Sequence, residues 1–222
     1  MDDYKRITVK PVIMDGKSKL EVHNPTSYPL IGAGAQGAVF LLSAKRCVKI
    51  YESPHSAAAE RAALAAARGS AFFPKLYESG EKYVVMEYIE GPTLQDVLRK
   101  DTSRFDDAIA AQLIAILKEM RSMNFARIDT RIGHILIPST GGMKVIDHSG
   151  AFRITSRAPF RLIKSLHQAH VLPVFLRYAA RHEPKLYRKW LRKWEEGTNI
   201  EGVPPLPPLE QMLTEAGPEG LF

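Results

Sequence analysis

The chain has 222 residues, 45% hydrophobic and 25% charged, which excludes disordered, collagen-like and coiled-coil proteins and allows one large domain or two small lobes. The single cysteine, the polar N-terminal residues and the absence of an apolar run of about 18 residues exclude a disulfide framework, a signal peptide and a membrane span, so we expect a soluble, cytoplasmic protein. The net charge of +7 is uneven: residues 153–193 contain eleven Lys or Arg and one acid, whereas residues 195–222 contain six acids and no Lys or Arg.

The first half of the chain is predicted to be a β-structure interrupted by one helix. The helix follows a cap at Ser53 or Ser56, has Pro54 in its first turn, continues through the alanine-rich residues 57–67 and ends at Gly69. Strands are predicted where β-branched or apolar residues cluster, at 7–14, 38–42, 46–51, 75–79 and 82–88.

The second half is predicted to be mostly helical. Asp106 is a plausible N-cap for an amphipathic helix, a loop spans 125–137, and a short hairpin carries residues 143–147. Helical spacing returns at 160–180 and 184–194, before an extended proline-rich stretch. These patterns predict an α+β fold with a β-rich N-lobe (1–90), a helical C-lobe (91–196) and a Pro-rich acidic tail (197–222).

Three glycines, Gly32, Gly34 and Gly37, precede an apolar strand. A dinucleotide-binding fold would instead start a helix at these residues, so the pattern favours a glycine turn between two strands. The backbone N–H groups of such a turn can cover the phosphates of a nucleotide, although an ordinary glycine hairpin gives the same pattern.

Lys49 lies in an apolar strand, where its ammonium needs a counter-charge if it is buried. Glu60, in the middle of the alanine-rich helix, can supply that charge and hold Lys49 towards the phosphates of a nucleotide. Asp129 and Asp147 lie eighteen residues apart, on a loop and at the end of an apolar run. Two carboxylates placed in this way can act as base and metal ligand in phosphoryl transfer.

From Leu30 to Gly150 the sequence resembles the protein-kinase-like superfamily, and more narrowly the small serine/threonine-protein kinases of Bacillus-type bacteria, which are compact like the RIO and lipopolysaccharide-kinase-like groups. The resemblance implies a bilobal protein-kinase-like fold that binds ATP and Mg²⁺ or Mn²⁺. It identifies Lys49 and Glu60 as the phosphate clamp, Asp129 as the catalytic base and Asp147 as a metal ligand. The remaining nucleotide-binding residues that it implies are Ile31, Gly32, Gly34, Gln36, Gly37 and Val39 of the glycine loop, Cys47 over the adenine, Met86 as gatekeeper, and the hinge backbone of Glu87 and Tyr88.

The sequence departs from the family pattern around Asp129. Arg131 replaces a lysine and keeps a charge for the γ-phosphate, so it joins the catalytic set. His134 replaces the asparagine that is the second metal ligand, and an imidazole suits Mn²⁺ better than Mg²⁺. A loop histidine without a metal is the alternative. The arginine that would receive a phosphorylated activation loop is missing, because Ile128 precedes Asp129.

We therefore expect an ATP-dependent phosphotransferase of bacterial type, most simply a serine/threonine protein kinase with a protein substrate. The alternatives are a nucleotide-binding pseudokinase and a small-molecule kinase. The basic block 153–193 could contact nucleic acid or a membrane, but its aromatic residues are more simply explained as core. We expect the tail residues 209–216 to form a helix whose apolar face docks on the helical lobe, with its acids towards residues 181–193.

Overall fold

The computed structural model describes residues 3–14, 17–152, 158–197 and 202–214. The chain divides into two compact units, one formed by Met1–Glu90 with Lys144–Ile154 and the other by Gly91–Met143 with Thr155–Phe222. The strands are β1 (Thr8–Met14), β2 (Lys17–His23), β3 (Leu30–Ala33), β4 (Gly37–Ser43), β5 (Arg46–Tyr51), β6 (Leu76–Ser79), β7 (Tyr83–Glu87), β8 (Ile135–Leu136) and β9 (Lys144–Val145). The α-helices are α1 (Pro54–Ala66), α2 (Leu94–Lys100), α3 (Asp107–Ser122), α4 (Phe160–Gln168), α5 (Leu172–His182), α6 (Pro184–Glu195) and α7 (Leu209–Thr214).

The first unit is built on a five-stranded antiparallel sheet with the strand order β3-β4-β5-β7-β6. Val48 and Ile50 of β5 pack on one face of this sheet, together with Ile7 from the segment that leads into the β1-β2 hairpin. Cys47 and Tyr51 of the same strand belong to a second core cluster, which includes residues of α1. Because side chains alternate along a strand, Lys49 lies on the α1 side of the sheet.

Helix α1 begins and ends as the sequence predicts. The Ser53 side chain accepts a hydrogen bond from the Ser56 N–H, which identifies Ser53 as the cap, and Pro54 occupies the first turn. Gly69, three residues after the helix, has a positive φ of 91°, a conformation that glycine adopts at little cost. Glu60, only 1% exposed, is thereby placed at the middle of a helix that packs on β5, β6 and β7.

The segment Lys144–Ile154 belongs to the first unit, whereas the boundaries expected from the sequence assigned it to the helical lobe. Backbone contacts explain the difference: the Val145 N–H donates to the Phe72 carbonyl at 2.8 Å, and the Lys144 ammonium donates to the Phe73 carbonyl at 3.3 Å. The same ammonium forms a 3.1 Å ion pair with Glu87. Asp147 is therefore built into the same unit as Lys49 and Glu60.

The second unit is mainly helical, so the protein has the predicted α+β class. Asp106 caps α3, since its carboxylate accepts a hydrogen bond from the Ile109 N–H at 2.9 Å. The single helix expected over 160–180 is in fact two, because the chain turns at His170, which has φ of 60°. Two further elements, β2 and α2, were not predicted from the sequence; α2 starts with a reciprocal capping box between Thr93 and Asp96.

Within the second unit, the chain after α6 folds back onto its helices. Helix α7 packs against α5 and α6 with Leu209 and Met212 buried, and the Tyr187 hydroxyl donates to the Pro207 carbonyl at 2.7 Å. The predicted docking of the apolar face is confirmed as far as Thr214, and the last two residues of the predicted helix lie outside the described part. The expected charge contact is wrong for Glu210, which is exposed and has no ion pair with the described residues of the basic block.

The aromatic residues of α6 are part of the core of the second unit. Tyr187 and Trp190 are fully buried and Trp194 is 7% exposed, while Phe175 stacks on Trp190 at a ring-centroid distance of 5.8 Å. These side chains therefore do not form an aromatic surface for bases or lipids. In the described residues, no helix combines the length and apolarity that crossing a bilayer requires.

Candidate active site

The glycine turn joins β3 to β4 and has two kinds of glycine. A Cβ at Gly37 would collide with the backbone carbonyl of Ile50 on the neighbouring strand, so Gly37 is required by the packing of the sheet. At Gly32 and Gly34, in contrast, a Cβ would meet nothing within 4 Å. Packing inside the protein does not explain these two glycines, whereas close approach of a ligand to the backbone would.

A cluster of one lysine and two carboxylates lies on the α1 side of the sheet. The Lys49 ammonium is 4.0 Å from a carboxylate oxygen of Glu60 and 3.4 Å from one of Asp147, and it lies 5.0 Å from the centroid of the Tyr51 ring. The Lys49 side chain is 13% exposed and that of Asp147 is 41% exposed. The predicted partnership of Lys49 and Glu60 is therefore present, and Asp147 joins it on the side open to solvent.

The residues that follow Asp147 fix the geometry of the cluster. The His148 N–H donates to both oxygens of Glu60 at 3.1 Å, which holds the carboxylate in place. The His148 ring is buried, donates from Nε2 to the Val145 carbonyl at 2.8 Å and packs at a tilted angle of 48° against the Phe73 ring. Burial lowers the pKa of His148, so the ring is a neutral packing group.

Asp147 itself has φ of 66°, in the left-handed region that non-glycine residues seldom adopt. The Ser149 hydroxyl, two residues further on, contacts the Asp147 carboxylate at 3.5 Å and donates to the Gln36 side chain at 2.6 Å. Gln36 belongs to the glycine turn. The structure thus connects the turn to the Asp147 segment through one serine.

The start of β5 and the end of β7, which pair with each other, contain the residues predicted to surround adenine. Cys47 pairs with Met86 in the β5-β7 register and both are buried, and burial raises the pKa of the Cys47 thiol to about 12. The N–H groups of Glu87 and Tyr88 already donate to the carbonyls of Lys75 and Lys45, respectively. The expectation that the backbone of both residues is available is therefore wrong for their N–H groups.

Sequence reasoning missed Ile89, which follows this pair. In the described part of the chain, its N–H donates to no partner, and the Glu87 carbonyl accepts only a weak 3.8 Å contact from the Cys47 thiol. Val39 lies opposite Lys49 in the β4-β5 register, and Ile31 is the exposed residue at a β3 irregularity.

In the second unit, Asp129 occupies the N-terminus of helix α4 through its side chain. Its two oxygens accept hydrogen bonds from the Arg161 N–H at 3.0 and 3.1 Å, and one also accepts from the Leu162 N–H at 3.2 Å. The residue is 8% exposed, and burial raises the pKa of Asp129 to about 6 although these N–H groups oppose the shift. A carboxyl with such a pKa suits a base at neutral pH, and the same carboxyl also caps α4.

Arg131 precedes a short 3₁₀ turn (Ile132–His134) after Asp129, and His134 is the last residue of that turn. Arg131 is exposed, and the His134 N–H donates to the Arg131 carbonyl at 2.9 Å. Both residues are thus in the loop that carries Asp129, and their roles towards the γ-phosphate and the metal stay predictions.

The residues present suit a nucleotide and a divalent cation. Open space around Gly32 and Gly34, a half-buried ammonium and an accessible carboxylate at Asp147 match the needs of phosphates and of Mg²⁺, which binds through one or two carboxylates together with phosphate oxygens. No group of three or more His, Cys, Asp or Glu side chains arranged for a metal occurs among the described residues.

A β-rich unit with a glycine turn, a lysine–glutamate pair and a following aspartate is the arrangement on which the resemblance to the protein-kinase-like superfamily rests. No protein-family model matches the chain. The "Putative serine/threonine-protein kinase YrzF" of Bacillus subtilis (strain 168) is 33% identical to it over 123 residues, which are 53% of this chain and 57% of the relative. The chain therefore spans little more than half of that relative. The match confirms the resemblance to the protein-kinase-like superfamily.

A solved structure, that of the streptomycin–ATP–APH(2″)-IIa ternary complex, is also similar. It has a TM-score of 0.37 and 19% identity, and the likeness covers 44% of this chain and 35% of that chain. The resemblance to the protein-kinase-like superfamily does not depend on this second match.

Proposed function

We propose that the protein is an ATP-dependent phosphotransferase that moves the γ-phosphate to a hydroxyl group. The observation that carries the proposal is the cluster of Lys49, Glu60 and Asp147, because a half-buried lysine held between two carboxylates is an arrangement that phosphoryl transfer uses. A purely structural ion pair would need neither the exposed carboxylate of Asp147 nor its unfavourable backbone conformation.

Each residue has a distinct part in this proposal. The N–H groups of the glycine turn cover the phosphates, Lys49 binds them, and Glu60 orients Lys49. Asp147, with His134 as the second ligand, would hold Mg²⁺ or Mn²⁺, which when bound would neutralise charge on the phosphates. Asp129 accepts the proton of the acceptor hydroxyl, and Arg131 supplies a positive charge for the transferred group.

We propose Ser or Thr of a protein as the acceptor, and the name of the Bacillus subtilis relative supports this choice. A small-molecule hydroxyl is the second candidate, favoured by the limited helical structure between Thr155 and the tail. The nucleotide-binding pseudokinase is the third, and it is favoured by His134, which stands where an oxygen ligand would suit Mg²⁺ better.

The test is transfer from ATP labelled at its γ-phosphate, with Mg²⁺, with Mn²⁺ and with a chelator, to a basic protein, an aminoglycoside and a sugar. The wild type should label one acceptor class in the presence of a metal, Lys49→Ala should lose ATP binding, and Asp129→Asn should bind ATP without transfer. His134→Asn should raise the Mg²⁺-to-Mn²⁺ activity ratio. ATP binding by the wild type without labelling of any acceptor would favour the pseudokinase. Unchanged ATP affinity in Lys49→Ala would contradict the site.

A further inference from the structure

The second unit contains a cavity of about 420 Å³ whose lining has one sign of charge. It is bounded by α2, by the 3₁₀ turn at Thr102–Arg104, by the loop after Asp129 and by the end of α4. Two arginines and a histidine line it, together with amide and hydroxyl side chains, and none of its lining residues is acidic. The residues are Gln95, Leu98, Arg99, Thr102, Arg131, Ile132, Ser165, Gln168, Ala169 and His170.

The two guanidinium groups are available to a ligand. Arg99 has a 3.9 Å contact with Asp96, but both side chains are more than half exposed, and such pairs contribute little. Asp96 is moreover occupied in the capping box at the start of α2, where it accepts from Thr93. Arg131 is exposed and pairs with no acid among the described residues.

The polar wall of the cavity is held in place by specific contacts. The Ser165 hydroxyl accepts from the Ile132 N–H at 3.3 Å and donates to the Leu162 carbonyl at 2.9 Å, which joins α4 to the loop. On the other side, the Gln95 side chain lies over Gly133, where an added Cβ would come within 2.6 Å of the amide oxygen. Gln95 of α2 thus lies against the loop that carries Arg131.

The backbone conformation of His170 is one that a histidine seldom adopts. It ends α4 with φ of 60°, where the N–H groups of His170 and Val171 return to the carbonyls of His167 and Leu166. Glycine or asparagine would adopt this left-handed conformation at lower cost, and a histidine there costs on the order of 1 kcal/mol. His170 is exposed and also lines the cationic cavity, and this position at an unfavourable backbone conformation indicates a use for its ring.

We infer that this cavity binds a phosphate monoester carried by the acceptor substrate. Guanidinium groups match phosphate oxygens with paired N–H donors, and an imidazole and side-chain amides add further donors. The inference rests on the proposed function and narrows it: the accepted substrate already carries a phosphate near the hydroxyl that is modified. Arg131, two residues after Asp129 and already assigned to the transferred group, links the cavity to the proposed base in sequence, and Arg99 is the guanidinium that remains for the acceptor's phosphate.

Binding is tested without ATP, by titration calorimetry of the full chain with a phosphoserine peptide, glycerol 3-phosphate and inorganic phosphate. The same peptide with aspartate and with serine serves as the comparison. We expect the phosphoserine peptide or glycerol 3-phosphate to bind, and the one that binds more tightly identifies a protein or a small-molecule source. Arg99→Gln and His170→Asn should each weaken binding about tenfold, the equivalent of one charge-assisted hydrogen bond.

His170→Asn keeps the left-handed turn accessible, so its melting temperature should not fall and a loss of binding is not a loss of fold. Arg188→Gln removes an exposed charge on α6 outside the cavity and should bind like the wild type. No binding by the wild type, equal binding of the aspartate peptide, or full affinity in both cavity variants would overturn the inference.

Failure of the proposed function gives a different pattern. Lys49→Ala, in the other unit, should leave the affinity for the phosphate monoester unchanged while ATP binding is lost. If transfer is observed, Arg99→Gln should raise KM for the phosphorylated acceptor and leave kcat near the wild-type value. Binding of the monoester without any transfer would contradict the phosphotransferase and leave the cavity assignment standing.

Discussion

Asp129 has two roles in this structure that substitution can separate. Its carboxylate caps α4 by accepting three hydrogen bonds from the N–H groups of Arg161 and Leu162, and it is the proposed base. Asp129→Ala removes both functions, whereas Asp129→Asn keeps one acceptor oxygen for the cap and removes only the base. Both variants lack the buried carboxylate, so the difference in their stability measures the contribution of the cap alone.

An N-cap replaced by alanine costs about 1 kcal/mol, within a range of roughly 0.5 to 2. For a chain of this length, 1 kcal/mol corresponds to a shift in melting temperature of about 2–4 °C. We therefore expect Asp129→Asn to melt about 2–4 °C above Asp129→Ala at any pH between 5 and 8. Loss of a general base should lower transfer by about 10²–10⁴-fold in both, with ATP affinity unchanged.

Differential scanning fluorimetry and nucleotide titration measure the two effects, and Asp106 supplies the matched control. Asp106 caps α3 through the Ile109 N–H and has no part in the proposed chemistry, so its Asn and Ala variants should differ in stability by a similar amount and both keep activity. Equal melting temperatures for the two Asp129 variants would refute the cap. Transfer by Asp129→Asn at the wild-type rate would refute the base.

Three further predictions concern the glycine turn, the docking of α7 and the protonation of Asp129. Gly34→Ala should weaken ATP binding without a change in melting temperature, whereas Gly37→Ala should destabilise the sheet because its Cβ collides with the Ile50 carbonyl; the opposite ranking would contradict the two roles. Met212→Ala should lower the free energy of unfolding, measured with urea, by about 2–5 kcal/mol, and Leu213→Ala should lower it much less because Leu213 is 44% exposed. Equal losses in the two variants would mean that α7 is not docked. Because the pKa of Asp129 is raised from 3.8 to about 6, the folded state binds this proton more tightly, so the stability that it contributes is present below about pH 4 and lost as pH rises through 6. Between pH 4 and 7, the free energy of unfolding of the wild type should therefore fall by up to about 3 kcal/mol relative to that of Asp129→Asn, and parallel pH dependences in the two proteins would contradict the raised pKa.

The parts of the site that the sequence predicted are those encoded by short patterns. Lys49 lies in an apolar strand and Glu60 in an alanine-rich helix, so each needed a partner of opposite charge. The packing of α1 on the sheet brings the Lys49 ammonium to 4.0 Å from a Glu60 carboxylate oxygen. Ser53 and Asp106 were recognisable as caps because a cap acts within its own first turn.

The parts that were missed depend on contacts between residues distant in sequence. The Asp129 carboxylate meets N–H groups 32 and 33 residues further along the chain, and no local pattern indicates that α4 will begin there. The Tyr88 N–H donates to a carbonyl 43 residues earlier, which made a predicted ligand group unavailable. Similarly, His170 satisfies a helical pattern by composition, and only the backbone reveals that it ends α4.

The charges of the first unit give a physical reason why a cation should accompany the nucleotide. Lys49 contributes one positive charge and Glu60 and Asp147 one negative charge each, so the cluster has a formal charge of −1. Glu60 is fixed by the His148 N–H and by burial, which leaves the exposed Asp147 as the carboxylate that phosphates would approach. Phosphate oxygens next to an unshielded carboxylate repel it, whereas a divalent cation between them converts that repulsion into attraction. The same carboxylate that disfavours ATP alone thus favours ATP with its metal, and this dependence follows from the arrangement of three side chains.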